Sequence, residues 1–282
     1  MRDVPESQDT NVMATRAWLV VFVLAFASSA PAAQECEPVS GAERVVRPGA
    51  VILLGEIHGT EQAPAAVAGL ACQALSSGLR VSVGLEIPRS EQAVVSDYVL
   101  SSSAEDAARL ARLKESSFWA RDYQDGRSSR AMLDLLRTLK RFRVETDRVR
   151  VLLIDDPQAA DGRDAHMASV VRDAAASPDA DVVVVLVGNL HNRLTAGTSW
   201  NPDYQPMGHL LRSMPGLISL QLTHSGGSAW VCSGSDVSDC GSRALEGKEH
   251  LPGIMLFAPS SSNAYSGRFH LGPIDASPPA KN

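Results

Sequence analysis

Residues 181–191 read Asp-Val-Val-Val-Val-Leu-Val-Gly-Asn-Leu-His. An unbroken apolar run of that length, rich in β-branched side chains and ending in Gly-Asn, predicts a strand covered on both faces, as in a parallel sheet. Working outward, three further runs have the same form. Ala50–Leu54 (AVILL) leads into Gly55-Glu56-Ile57-His58-Gly59, Arg80–Leu85 (RVSVGL) into Glu86, and Val149–Ile154 (VRVLLI) into Asp155-Asp156. Leu217–Leu222 and Gly253–Phe257 are further strand candidates, and Trp230–Cys232 fits a short antiparallel piece.

Helix-compatible stretches separate these runs. Ala65–Leu75 is Ala-rich behind Pro64, Ser90 can cap a helix over 91–100, and Ser103 with Asp106 resembles a capping box before 107–113. Met132, Leu133, Leu136, Leu139 and Phe142 fall on one helical face after Ser129, and 164–175 is helix-compatible too. Alternating strands and helices define an α/β fold with a mostly parallel central sheet flanked by helices. Two or three helices follow the second strand where one crossover would suffice, which predicts a helical insertion over about 89–145. A single domain over 34–271 is expected, with a frayed Pro-, Ala- and Ser-rich tail at 272–282.

Trp18–Ala27 (WLVVFVLAFA) follows Arg16 and precedes small residues up to Ala33. That order of basic, apolar and small residues is a secretory signal over 1–33, too short for a comfortable membrane span. Periplasmic or secreted location follows as an expectation. Four cysteines, Cys36, Cys72, Cys232 and Cys240, then permit two disulfides, with three possible connectivities. Cys232 and Cys240 flank a polar turn that can close as a short loop, which would leave Cys36 to pin the N-terminal segment at Cys72.

The chain carries 26 Lys and Arg against 32 Asp and Glu, a formal charge of −6, with no basic block that would mark a nucleic-acid partner. Hydrophobic residues make up 44%, enough for a core, which excludes extended disorder. No GxSxG elbow, HExxH helix, GxGxxG turn or phosphate-binding GxxxxGK[ST] loop occurs.

What remains is a placement. Ligands of parallel sheets bind outside the carboxyl ends of the strands, and four apolar runs here end in acid or imidazole. Glu56, His58, Glu86 and His191 therefore form the candidate cluster, with Asp155 beside it. Two carboxylates and two imidazoles can hold a divalent metal such as Mn or Zn. They can equally make one His a general base on water, with a Glu fixing its tautomer. Arg193 can clamp an anion, His209 can join the pocket, and Trp119 with Tyr123 can close over an apolar ligand.

At Leu54–Gly59, Gly84–Glu86 and Val187–His191 the chain resembles a superfamily that includes the erythromycin-esterase-like proteins, the ChaN-like haem-binding uptake proteins, and the Tiki and TraB proteins. The resemblance spans roughly residues 48–225 and is nearest the ChaN-like branch. The esterase-like branch implies lactone hydrolysis with His58 as general base, and Glu56, Glu86 and His191 orienting groups and stabilising charge. The Tiki branch implies a metal-dependent protease, with the same acids and His191 at the metal. The ChaN-like branch implies haem capture in iron uptake, a homodimer, and a tyrosine on the iron, for which Tyr98, Tyr123 and Tyr204 are the options. The expected partner is thus a small-molecule or peptide substrate, or haem.

Overall fold

The computed structural model describes residues 1–3, 36–101 and 105–281. Residues 34–282 group into one unit, apart from residues 1–33. The secretory-signal reading and the Ser103 capping box fall on residues outside those described.

In chain order the elements are β1 (Ala50–Glu56), α1 (Gln62–Ser76), β2 (Val81–Pro88), α2 (Gln92–Leu100), α3 (Asp106–Glu115), α4 (Ser117–Ala120), α5 (Arg130–Thr146), β3 (Val149–Asp155), α6 (Arg163–Ala176), β4 (Val182–Gly188), α7 (Met207–Leu211), β5 (Leu217–Thr223), β6 (Gly226–Cys232), β7 (Cys240–Glu246), β8 (Gly253–Leu256) and β9 (Gly267–His270). Seven strands form one sheet in the order β3-β2-β4-β1-β5-β9-β8, and β6 with β7 forms a separate antiparallel hairpin. Every pairing in the large sheet is parallel except β8 with β9. The helical insertion after β2 comprises α2 to α5.

The Val-rich run takes a central place because it is apolar on both faces. Val182, Val184 and Leu186 pack with α1 and α5, whereas Val183, Val185 and Val187 pack with α6 and α7. Successive residues of a strand point to opposite faces, so each face receives half the run. Each such side chain, fully buried, contributes about 1.5–3 kcal/mol. Strand β1 lies beside β4 with Leu54 opposite Leu186 and Glu56 opposite Gly188. Register alone therefore brings Glu56 level with the end of the Val-rich strand.

Two disulfides form, Cys36–Cys72 and Cys232–Cys240. The first ties the segment before β1 to α1, and the second closes the β6–β7 hairpin. Among the described residues no helix is long and apolar enough to cross a membrane.

Strands β7 and β9, helix α7 and the tail depart from expectation. Strand β9 has only four residues, Gly-Arg-Phe-His, and shows no apolar run or alternation to announce it. The tail is not frayed. Ile274, Ser277 and Ala280 are buried, the Ser277 amide donates to the Gly59 carbonyl (2.8 Å), and the Ala280 amide to the Ser128 carbonyl (2.9 Å). The Arg130 amide in turn donates to the Pro278 carbonyl (2.8 Å). Its Pro and Ala content weakens helix and strand signals, yet the backbone finds its partners at the start of α5 and in the loop after β1.

Candidate functional site

Glu56 is the last residue of β1 and is 4% exposed. Two residues on, His58 turns back so that its Nδ1 lies 2.8 Å from Glu56 Oε1. A buried carboxylate accepts hydrogen bonds, so the proton of neutral His58 sits on Nδ1 and Nε2 keeps its lone pair. Nε2 faces Glu86 Oε2 at 3.7 Å and makes no hydrogen bond among the described residues. The turn that allows this is built on Gly59, at φ 77°, where a Cβ would meet the Trp230 carbonyl oxygen at 2.0 Å.

Glu86 projects from β2 and is also 4% exposed. Its carboxylate takes three partners: the Gly188 amide donates to Oε2 (2.7 Å), Arg163 Nη2 donates to Oε1 (2.5 Å), and Arg127 Nη1 lies 3.5 Å from Oε1. Burial alone would raise its pKa. The electrostatic pull of His58, His191, Arg127 and Arg163 outweighs that and holds it at about 2. Glu86 is thus a fixed anion. Burial pushes the Glu56 carboxyl up despite the neighbouring His58. Burial pulls His58 down, but Glu86 and then Glu56 prevail and leave it above its ordinary value.

Asp155, the fully buried last residue of β3, carries the same two arginines. Arg163 Nε donates to Oδ1 (2.6 Å), and Arg127 Nη1 donates to Oδ2 (2.9 Å). Asp125 completes the hold on Arg127, accepting from its Nη2 at 2.8 Å. His191 follows β4, and both its ring nitrogens are engaged: Nδ1 with Asp164 Oδ1 (2.8 Å), Nε2 with Arg163 Nη1 (3.2 Å). Asp164 also accepts from the Tyr204 hydroxyl (2.9 Å) and the Met207 amide (2.7 Å).

The structure therefore gathers Glu56, His58, Glu86, His191 and Asp155 at one rim. Sequence reasoning missed Arg127, Arg163, Asp164 and Asp125, and named Tyr204 only as an option for haem iron, not as a partner of Asp164. Arg163 and Asp164 open α6 just beyond a strand end, the one placement signal available for them. Asp156 accepts from the Gln158 amide (3.1 Å) and so caps its own turn. The other expected ligand-binding side chains turn elsewhere. Tyr123 donates its hydroxyl to the Gly234 carbonyl (2.7 Å), and Trp119 is fully buried, edge-on to Phe118. His209 bonds the Leu194 carbonyl through Nδ1 (3.1 Å), and Arg193 donates to Thr195 Oγ1 (3.2 Å).

The side chains do not fit a resident divalent metal. Both oxygens of Asp155 and one of Glu86 accept from guanidinium groups, whose positive charge opposes a divalent cation, and His191 Nε2 is taken by Arg163 Nη1. Among the described residues no three His, Cys, Asp or Glu side chains converge as ligands. Two hollows of about 830 and 910 Å3 lie on other parts of the surface, lined by none of the four cluster residues.

No protein-family model matches the chain, and no curated protein matches its sequence. Its fold is nonetheless shared with solved structures. A Bacillus cereus protein matches with a TM-score of 0.52 at 11% identity, over 85% of this chain and 92% of its own. A succinoglycan biosynthesis protein matches with a TM-score of 0.51 at 11% identity, over 81% of this chain and 89% of its own. The erythromycin esterase EreC, as a mutant in its open conformation, matches with a TM-score of 0.50 at 15% identity, over 85% of this chain and 93% of its own. Fainter likenesses reach haem-binding and toxin proteins. What is shared is an α/β architecture that carries several activities, not one family.

Proposed function

We propose that this chain is an exported hydrolase that activates water with His58, acting on an ester, lactone or peptide bond. The observation that carries the reading is the asymmetry between the two histidines. Glu56 fixes the tautomer of His58 and leaves Nε2 unbonded, 23% of the side chain being exposed, whereas His191 is bonded at both nitrogens. His58 is thus the base, and His191 holds Arg163. Water placed against Nε2 gives up a proton as its oxygen attacks the carbonyl carbon. The tetrahedral intermediate then expels the alcohol or amine, which takes the proton back from His58. Arg127 and Arg163, fixed by Asp155 and Glu86, supply a preorganised positive field for the oxyanion.

The likeness to an esterase supports the fold alone and leaves the substrate open. Export is supported by the two disulfides, which persist in oxidising compartments. Haem capture is the weaker alternative, since Tyr123 is spent on Gly234. The test is hydrolysis by the purified protein of activated esters, a macrolide lactone and a peptide, with and without a chelator. Turnover that survives the chelator is expected. Turnover abolished by the chelator and restored by manganese or zinc would overturn the base mechanism.

A further inference from the structure

Beyond the cluster, at the carboxyl end of β5, lies a hollow of about 200 Å3 whose polar lining is Asn189, Gln221, Thr223, His224, Lys248 and His250. None of the four cluster side chains lines it, and its link to the rim runs through the backbone. Ile57, between Glu56 and His58, lines it as well, and the Asn189 amide donates to the Glu56 carbonyl at 2.9 Å. His224 additionally shares a narrow gap with Glu56.

Three contacts assemble the basic side of this hollow. The Gly226 amide donates to His224 Nδ1 (3.2 Å), so neutral His224 carries its proton on Nε2, as a donor. The Lys248 amide donates to the His224 carbonyl (2.9 Å), which brings the lysine alongside. His250 stands edge-on against His270 with ring centroids 5.3 Å apart, and His270 Nδ1 is hydrogen-bonded to Thr223 Oγ1 (3.1 Å). No carboxylate lines the hollow, although carboxylates crowd the neighbouring cluster. The Lys248 ammonium has no ion-pair partner among the described residues.

We infer that this hollow is a subsite for an anionic group of the substrate, a carboxylate or phosphate, held by His224, Lys248 and His250 beside the loop that carries His58, the base that activates the attacking water. The inference rests on the hydrolase reading for its substrate but not for its binding chemistry. A lysine and two imidazoles lining an open hollow of about 200 Å3 select charge and hydrogen-bond acceptors over apolar bulk. The substrate class is thus an acidic ester, lactone or peptide rather than a neutral lipid ester.

The test is titration of the full chain with succinate and, separately, inorganic phosphate, by calorimetry and by histidine NMR. Saturable binding that shifts His224 and His250 resonances and weakens at least fivefold in Lys248→Gln is expected, and whichever anion binds more tightly identifies the group. Lys248 is exposed, so the variant should fold; His224→Gln is the second variant and should weaken binding likewise. Absence of saturable binding, equal affinity in both variants, or shifts confined to His58 and His191 would overturn the subsite. A His58→Gln protein separates the two readings, since it should keep anion binding while losing turnover. If the native protein hydrolyses nothing yet binds the anion through Lys248, the hydrolase reading fails alone. If it hydrolyses esters but binds neither anion, the subsite fails alone.

Discussion

Nδ1 of His58 lies 2.8 Å from Glu56 Oε1, and this pairing decides which nitrogen of the ring faces the rim. Removing the partner should change the chemistry more than the fold. Glu56→Gln can offer its amide nitrogen as well as its oxygen, so it no longer enforces the tautomer with Nε2 free. We expect a fall in kcat of roughly 10–100-fold with KM nearly unchanged, a fraction of the 10²–10⁴-fold available to general base catalysis. A parallel rise in KM would make Glu56 a substrate contact instead.

The pH dependence follows from His58. Its pKa lies above the ordinary 6.5, raised by Glu86 and Glu56 against burial. The base is neutral only above that value, so kcat/KM should climb with pH through a midpoint higher than 6.5. In Glu86→Gln, which removes the charge that raises His58 most, the midpoint should move down. A midpoint at or below 6.5 in the native protein would contradict the assignment.

Stability should respond in the acid range. Glu86 is held at about 2 against an ordinary 4.5. A depressed carboxylate contributes stability that is present above 4.5 and lost as pH falls from there toward 2, on the order of 3 kcal/mol for a gap of this size. Glu86→Gln also takes one carboxylate away from the half-buried Arg127 and Arg163, which keep Asp155 and Asp125 as partners, so urea unfolding at neutral pH should show a loss of about 3 kcal/mol. That loss should shrink as the pH is lowered to 3, whereas a pH-independent loss would point to packing alone.

Much of this site was legible from strand ends. Runs such as Val182–Val187 must be buried on both faces, which orders them into a parallel sheet, and an acid directly after such a run has to be paired. Glu86 and Asp155 obey that logic. Arg127 and Arg163 do not stand out, because they arrive from a loop and a helix start where charged side chains are ordinary. Their role depends on long-range packing that places Asp125 and Asp155 around them. The tail misled through composition, since Pro and Ala carry no periodicity even where their backbone is fully paired.

A methyl group at Gly55 would test how the rim is supported. Its Cβ would fall 2.1 Å from Asn192 Oδ1, and Asn192 anchors the loop of His191 by donating to Ser219 Oγ and the Leu220 carbonyl, both at 3.0 Å. Gly55→Ala should destabilise by about 1–3 kcal/mol and displace the loop. Trimming the obstacle in Gly55→Ala with Asn192→Ala should recover part of the fold but not the placement of His191. Full activity in the single variant would show that the loop has slack.

The two disulfides should separate stability from site geometry. Cys36 and Cys72 are 36 residues apart and Cys232 and Cys240 only 8. Loop entropy assigns them about 4 and about 2.5 kcal/mol. The hairpin, however, reaches the site: the Trp230 amide donates to the Gly59 carbonyl (2.8 Å), and its indole donates to the Gln124 carbonyl (2.9 Å) near Arg127. Paired Cys→Ser changes at 36 and 72 should lower the melting temperature more, and those at 232 and 240 should lower kcat more. The reverse order would disprove the hairpin's hold on the site.

The most direct measurement compares native protein and His58→Gln on the same activated esters, lactone and peptide, with circular dichroism to confirm equal folding. His58 as the water-activating base requires turnover by the native protein and a loss of at least about 100-fold in the variant. Undiminished turnover in folded His58→Gln, or no turnover of any of these substrates by the native protein, would contradict it.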